Sequence, residues 1–99
     1  MLKVEKNVTG GKATVSLEGR LDTVTAPELE AELKDVLENA SSMTLDFEKL
    51  EYISSAGLRV LLAMQKILGK KNGMKVIHVN ETVMEVFEVT GFSDILTIE

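Results

Sequence analysis

The hydrophobic period of this chain switches from two residues to roughly 3.6 and back three times, and few folds accommodate that succession. Leu2 and Val4 alternate with Lys3 and Glu5, and the alternation runs on to residue 8 with Lys6 in phase with Leu2 and Val4. Ala13, Val15 and Leu17 then alternate with Thr14 and Ser16. Thr9-Gly10-Gly11-Lys12 lies between the two stretches. Paired glycines supply the positive φ of a tight connection, so the chain should open with a β-hairpin. Leu29, Leu33, Val36 and Leu37 next form an apolar stripe at helical spacing, with Glu30 and Lys34 paired four apart on the other side. Thr25 and Glu28 read as a capping box with Pro27 in the first turn, and this helix should reach about Asn39.

The same alternation of elements continues. Met43 to Phe47 reads as a short strand, and Leu50 to Ile53 leads into Ser54 and Ser55. From Ser55 to about Leu68 the pattern is helical and apolar nearly all round, which predicts packing on more than one side. Arg59, Lys66 and Lys70 fall on its exposed stripe. Asn72-Gly73 is a turn, Met74 to Val79 a strand, and Asn80 the cap of a third helix with Val83, Met84, Val86 and Phe87 inward. Gly91 should stop that helix in a left-handed conformation, with Phe92 packing back, and Ile95 to Ile98 should form a last strand. The order ββαβαβαβ predicts an α/β fold in one domain over residues 1–99. Its sheet is mixed but mostly parallel, with the hairpin at one side and helices packed against it.

Composition narrows the function. The net charge of −5 argues against direct nucleic-acid binding, which relies on basic surface to release counterions. Cysteine is absent, so neither a disulfide framework nor a thiolate metal site is available. MLKVEKNVTGG has no signal-peptide core and no run approaches a membrane span, so a soluble, cytoplasmic protein is expected.

Catalytic motifs are missing. Ile53-Ser54-Ser55-Ala56-Gly57 lacks the leading glycine of a nucleophile elbow, and the lone histidine, His78, falls mid-strand in MKVIHV. Gly10-Gly11-Lys12-Ala13 misses the phosphate-loop spacing. Asp22 and Asp46, expected at strand ends near the serines, are too few for a metal site. The chain therefore reads as a binding protein without catalytic residues, cofactor or metal.

The serines then have two readings. Either can cap a helix through its hydroxyl. Alternatively, one is exposed at the helix start and accepts a phosphate, adding roughly −1.5 to −2 charges where a helix N-terminus tolerates them.

Three segments give the chain a family resemblance over essentially its whole length. Gly19-Arg20-Leu21-Asp22-Thr23 with Ala26-Pro27-x-Leu29 is the first, Asp46-Phe47 with Tyr52-Ile53-Ser54-Ser55-Ala56-Gly57-Leu58 the second, and Phe87-x-x-Thr90-Gly91-Phe92 the third. Together they resemble the STAS domain family, in particular the small bacterial anti-sigma factor antagonists.

The resemblance implies a protein that binds an anti-sigma factor with serine kinase activity and so frees a sigma factor. Phosphorylation of a serine at the head of this helix weakens the complex, and a phosphatase resets it. Aligned on Gly57, that serine is Ser55. Ser54 replaces the family's usual aspartate and is a competing hydroxyl, and Ala56 replaces the following hydroxyl residue. Asp22, Thr23, Ser54, Ala56, Gly57 and Arg59 are then the expected partner-binding residues, on a monomer. The alternative is a STAS module without serine switching, such as an accessory subunit of a membrane transport complex.

Overall fold

A computed structural model describes all 99 residues. Strand β1 (Leu2–Thr9) pairs antiparallel with β2 (Lys12–Leu21) through the tight connection at Gly10 and Gly11, whose φ values are +59° and +80°. Helix α1 (Ala26–Leu37), strand β3 (Ser42–Ile53), helix α2 (Ser55–Leu68), strand β4 (Met74–Ile77), helix α3 (Glu81–Thr90), a 3₁₀ turn (Phe92–Asp94) and strand β5 (Thr97–Ile98) follow. The five strands lie in chain order, and every pair after the hairpin is parallel.

Parallel neighbours in chain order need crossovers, and crossovers of one hand deliver all three helices to one face of the sheet. Burial along the strands agrees. Ala13, Val15 and Leu17 of β2, Met43, Leu45 and Phe47 of β3, and Met74 and Val76 of β4 are all buried. Their strand neighbours Thr14, Ser16, Thr44, Asp46 and Lys75 line the other, more open face. Phe47 meets Phe87 of α3 at 6.3 Å between ring centroids. A Lys6–Glu32 pair at 2.9 Å ties β1 to α1. No helix is long and apolar enough to cross a membrane.

The hairpin, the three helices and the mixed sheet match the expected order. The third strand does not match its expected bounds. It runs unbroken from Ser42 to Ile53, because register shifts against β2 insert extra β3 residues after Asp46 and after Leu50. These bulges return Leu50 and Ile53 to the helix side at a spacing of three, which strict alternation does not show. Asp46 therefore sits mid-strand instead of at a strand end, seven residues before Ile53 and so about 23 Å along the strand at some 3.3 Å per residue.

His78 is likewise not mid-strand. β4 stops at Ile77, and His78 takes a φ of +58° beyond it. Asn80 caps α3 as expected, its side chain accepting from the Val83 N–H at 2.8 Å, and its amide also donates to the Leu50 carbonyl at 2.7 Å. Gly91 ends α3 at φ +83°.

The seating of α2 on the sheet depends on Gly57. A Cβ there would lie 2.6 Å from Leu21 Cγ and 2.9 Å from Ile53 Cγ1, and both side chains are buried at the ends of β2 and β3. Gly57→Ala therefore forces α2 off the strand ends. Overpacking costs about 1–3 kcal/mol, while the better helix propensity of alanine returns roughly 1 kcal/mol. We expect thermal denaturation to show a melting temperature several degrees below wild type; an equal or higher one would contradict this seating.

Candidate functional site at the start of helix α2

β2 and β3 end side by side. Leu21 pairs with Ile53, and the Ser54 N–H donates to the Leu21 carbonyl at 2.9 Å. The chain leaves β2 into the Asp22–Thr25 loop and leaves β3 directly into α2, so loop and helix start together. A shallow groove between them is lined by Thr23, Ala26, Pro27, Ala56 and Arg59, among others. This brings together the expected residues Asp22, Thr23, Ser54, Ser55, Ala56 and Arg59. Gly57 departs from the expectation: it is buried under the helix and shapes the surface without forming part of it. Asp46 is not part of this group.

The loop is held by its own side chains. Asp22 Oδ1 accepts from the Val24 and Thr25 N–H groups at 3.0 and 3.1 Å. The Thr25 hydroxyl accepts from the Asp22 N–H and donates to the Arg20 carbonyl, both at 2.9 Å. Thr25 is the one buried polar residue of the chain, and this exchange satisfies it. It also replaces the expected capping box, since the Thr25 side chain makes no cap bond to α1 and turns back into the loop. The Thr25 N–H holds the Asp22 carboxyl below its usual range; the Val24 N–H adds to this and partial desolvation opposes it. Asp22 thus does the work of a turn residue, leaving Oδ2 3.9 Å from Arg20 Nε.

Arg20 and Tyr52 are a feature that sequence reasoning missed. They face each other across β2 and β3, with the guanidinium carbon 4.4 Å from the ring centroid. A cation over an aromatic face is attractive, and here it joins β2 to β3 just before the loop. Only their shared register could have revealed it, and the β3 bulges hide that register. Val24, at the loop tip, is 78% exposed and apolar. Its place between two polar threonines gave no periodic signal.

The two serines differ sharply. Ser54 occupies the N-cap position with extended backbone, but its hydroxyl makes no cap bond and is buried without a partner. Ser55, the first residue of α2, is exposed. The first turn of α2 carries no acidic residue. A hydroxyl that must be reached from outside is therefore the one on Ser55.

Elsewhere, ligand atoms of Asp46, Glu48 and His78 lie within 4.8 Å of one another on the open sheet face. His78 Nδ1 meets Asp46 Oδ1 at 2.9 Å. The Asp46 bond and charge raise the His78 pKa above its ordinary 6.5. Burial pushes the Asp46 carboxyl up, but the hydrogen bonds from His78 and the Glu48 N–H, with the charges of His78 and Lys49, leave its pKa lowered. The expectation of no metal-ligand cluster missed this trio, since it forms only through β3–β4 pairing.

The family match is now decisive. A STAS-family model described as "Mlab, STAS domain" matches residues 4–97. The chain belongs to the STAS domain family. Among similar proteins, BtrV of Bordetella bronchiseptica, assigned as an anti-sigma factor antagonist, is 35% identical over 99 residues, covering 98% of this chain and 85% of BtrV. The crystal structure of an anti-sigma factor antagonist from Mycobacterium paratuberculosis superposes with a TM-score of 0.89 at 26% identity, covering 99% of this chain and 85% of that one. SpoIIAA of Bacillus shares the fold at 20% identity. Its unphosphorylated form gives a TM-score of 0.82, covering 100% of this STAS chain and 88% of SpoIIAA, and its phosphorylated form gives 0.74, covering 100% and 91%.

Removing the Ser54 hydroxyl tests this reading of the two serines. A working N-cap serine costs about 0.5–2 kcal/mol when changed to alanine, whereas deleting a buried, unpartnered hydroxyl is neutral or favourable. We expect Ser54→Ala to melt at or above the wild-type temperature in a calorimetric scan. A drop of several degrees would restore Ser54 as the cap.

Proposed function

We propose that this STAS domain is an anti-sigma factor antagonist. It docks on an anti-sigma factor through the start of α2 and the Asp22–Thr25 loop, and phosphorylation of Ser55 switches it off. The observation that carries the reading is the exposure of Ser55 at the first position of α2, beside a loop locked by Asp22 and Thr25. The name of BtrV, similar along the whole chain, supports it. The burial of the Ser54 hydroxyl argues against that competing site.

On this reading the partner is itself a serine kinase. The γ-phosphoryl group of a nucleoside triphosphate passes to Ser55 Oγ, the diphosphate leaves, and the hydroxyl proton goes to a base of the kinase. A phosphatase reverses the modification. The 99 residues act as one cytoplasmic, monomeric domain that binds protein and neither catalyses a reaction nor contacts nucleic acid. The added charge meets a free helix N-terminus, so the fold survives. The partner instead meets a dianion where it met a hydroxyl.

A second reading keeps the surface and drops the switch, as in an accessory subunit of a membrane transport complex. The loss of the family's aspartate at Ser54 and hydroxyl at Ala56 favours it.

One experiment separates the two readings. Wild-type, Ser55→Ala and Ser55→Asp proteins serve as baits in lysate of the source organism with magnesium and nucleotide, and captured proteins are identified by mass. The switch predicts an ATP-binding, kinase-like protein held by wild type and Ser55→Ala, and held at least tenfold more weakly by Ser55→Asp. All three baits should melt within about 0.5 kcal/mol of each other, as exposed substitutions do. Transporter subunits captured equally by all three baits would favour the second reading.

A further inference from the structure

We propose that Arg59 receives the phosphate of modified Ser55 within the same helix, so that modification withdraws the docking surface's own cation as well as adding negative charge. This rests on the reading of Ser55 as the modified serine.

Ser55 and Arg59 are four residues apart in α2, and both are exposed. Residues at that spacing are neighbours on one helix face. Long side chains on a helix lean toward its N-terminus, so the Arg59 guanidinium reaches back over the turn that carries Ser55. Arg59 takes part in none of the protein's ion pairs.

The surrounding charges leave the role to Arg59. Arg20 is already engaged on the Tyr52 ring and near Asp22. Lys66, the next cation along α2, lies a further two turns away. Two carboxylates belong to the neighbouring elements. Glu30 of α1 lines the same groove as Arg59 and is paired with Lys34 at 3.7 Å. Asp22 of the loop spends Oδ1 on its own backbone.

The planar guanidinium of arginine pairs with phosphate oxygens through two parallel N–H donors. Before modification, Arg59 is free to meet an acidic group on the partner. After it, the guanidinium is occupied within the chain.

The test installs phosphoserine at position 55 of the full chain during translation, without a kinase, and follows its phosphorus resonance through a pH titration. A free phosphoserine loses its second proton near pH 6. Pairing with Arg59 lowers that midpoint, and Arg59→Gln should raise it again by at least half a pH unit, about a threefold change in proton affinity. Lys66→Gln should leave it at the wild-type value. Asp22 and Glu30 are present in every variant, so their contribution cancels. Arg59→Lys should restore part of the shift, because lysine offers charge without the planar fork.

Identical midpoints in wild type and Arg59→Gln would overturn the proposal, as would a Lys66→Gln shift as large as that of Arg59→Gln. A shift seen without capture of any kinase-like partner would overturn the proposed function and leave the Arg59 pairing standing. Capture that depends on Ser55 without any shift would overturn the pairing alone.

Discussion

The close approach of Gly57 to Leu21 and Ile53 is the contact on which the rest of this surface depends. β2 and β3 end together there, and the missing Cβ lets α2 start directly over their last buried side chains. The Ser54 N–H to Leu21 carbonyl bond fixes the junction. The loop after β2 and the first turn of α2 then have one position relative to each other. They form one continuous surface at a sheet end whose hydrogen bonds are already made.

That junction shapes what a modification can do. Ser55 lies outside the junction, exposed and first in its helix, whereas the Ser54 hydroxyl lies inside it. Charge added at Ser55 stays on the surface and leaves the Leu21–Ile53–Gly57 contact intact. The loop is pinned at both ends, because Asp22 Oδ1 and the Thr25 hydroxyl bond each other's backbone and side-chain groups. On the proposed reading, regulation is a change in what the surface presents, carried by electrostatics over a few ångströms.

Much of this was legible in the amino-acid order, for physical reasons. The hairpin glycines, the Asn80 cap and the Gly91 stop act on neighbouring residues, so a local reading finds them. That one serine at the helix start is exposed was a reading of the residues, and the choice of Ser55 came from the family segments aligned on Gly57. What escaped depends on contacts between elements. The β3 bulges exist only against the register of β2, and they moved Asp46 from a strand end to mid-strand. Thr25 looked like a helix cap because the Thr-x-x-Glu spacing is local, while its hydroxyl answers to the Arg20 carbonyl across the loop. The Arg20–Tyr52 stack and the His78–Asp46 pair join adjacent strands, and no single stretch of sequence contains either. Gly57 was expected among the partner-binding residues from the resemblance; its burial comes from the two strand ends beneath it.

On the proposed reading, phosphate on Ser55 changes the surface at the start of α2 and spares the fold. The most direct measurement is an amide ¹H–¹⁵N map of the protein with and without phosphate on Ser55. Shifts should be confined to the first two turns of α2 and to residues 20–25, with Leu45, Val76 and Phe87 unmoved. Shifts spread through β3, β4 and α3 would contradict it, and would mean that phosphate works by loosening the core.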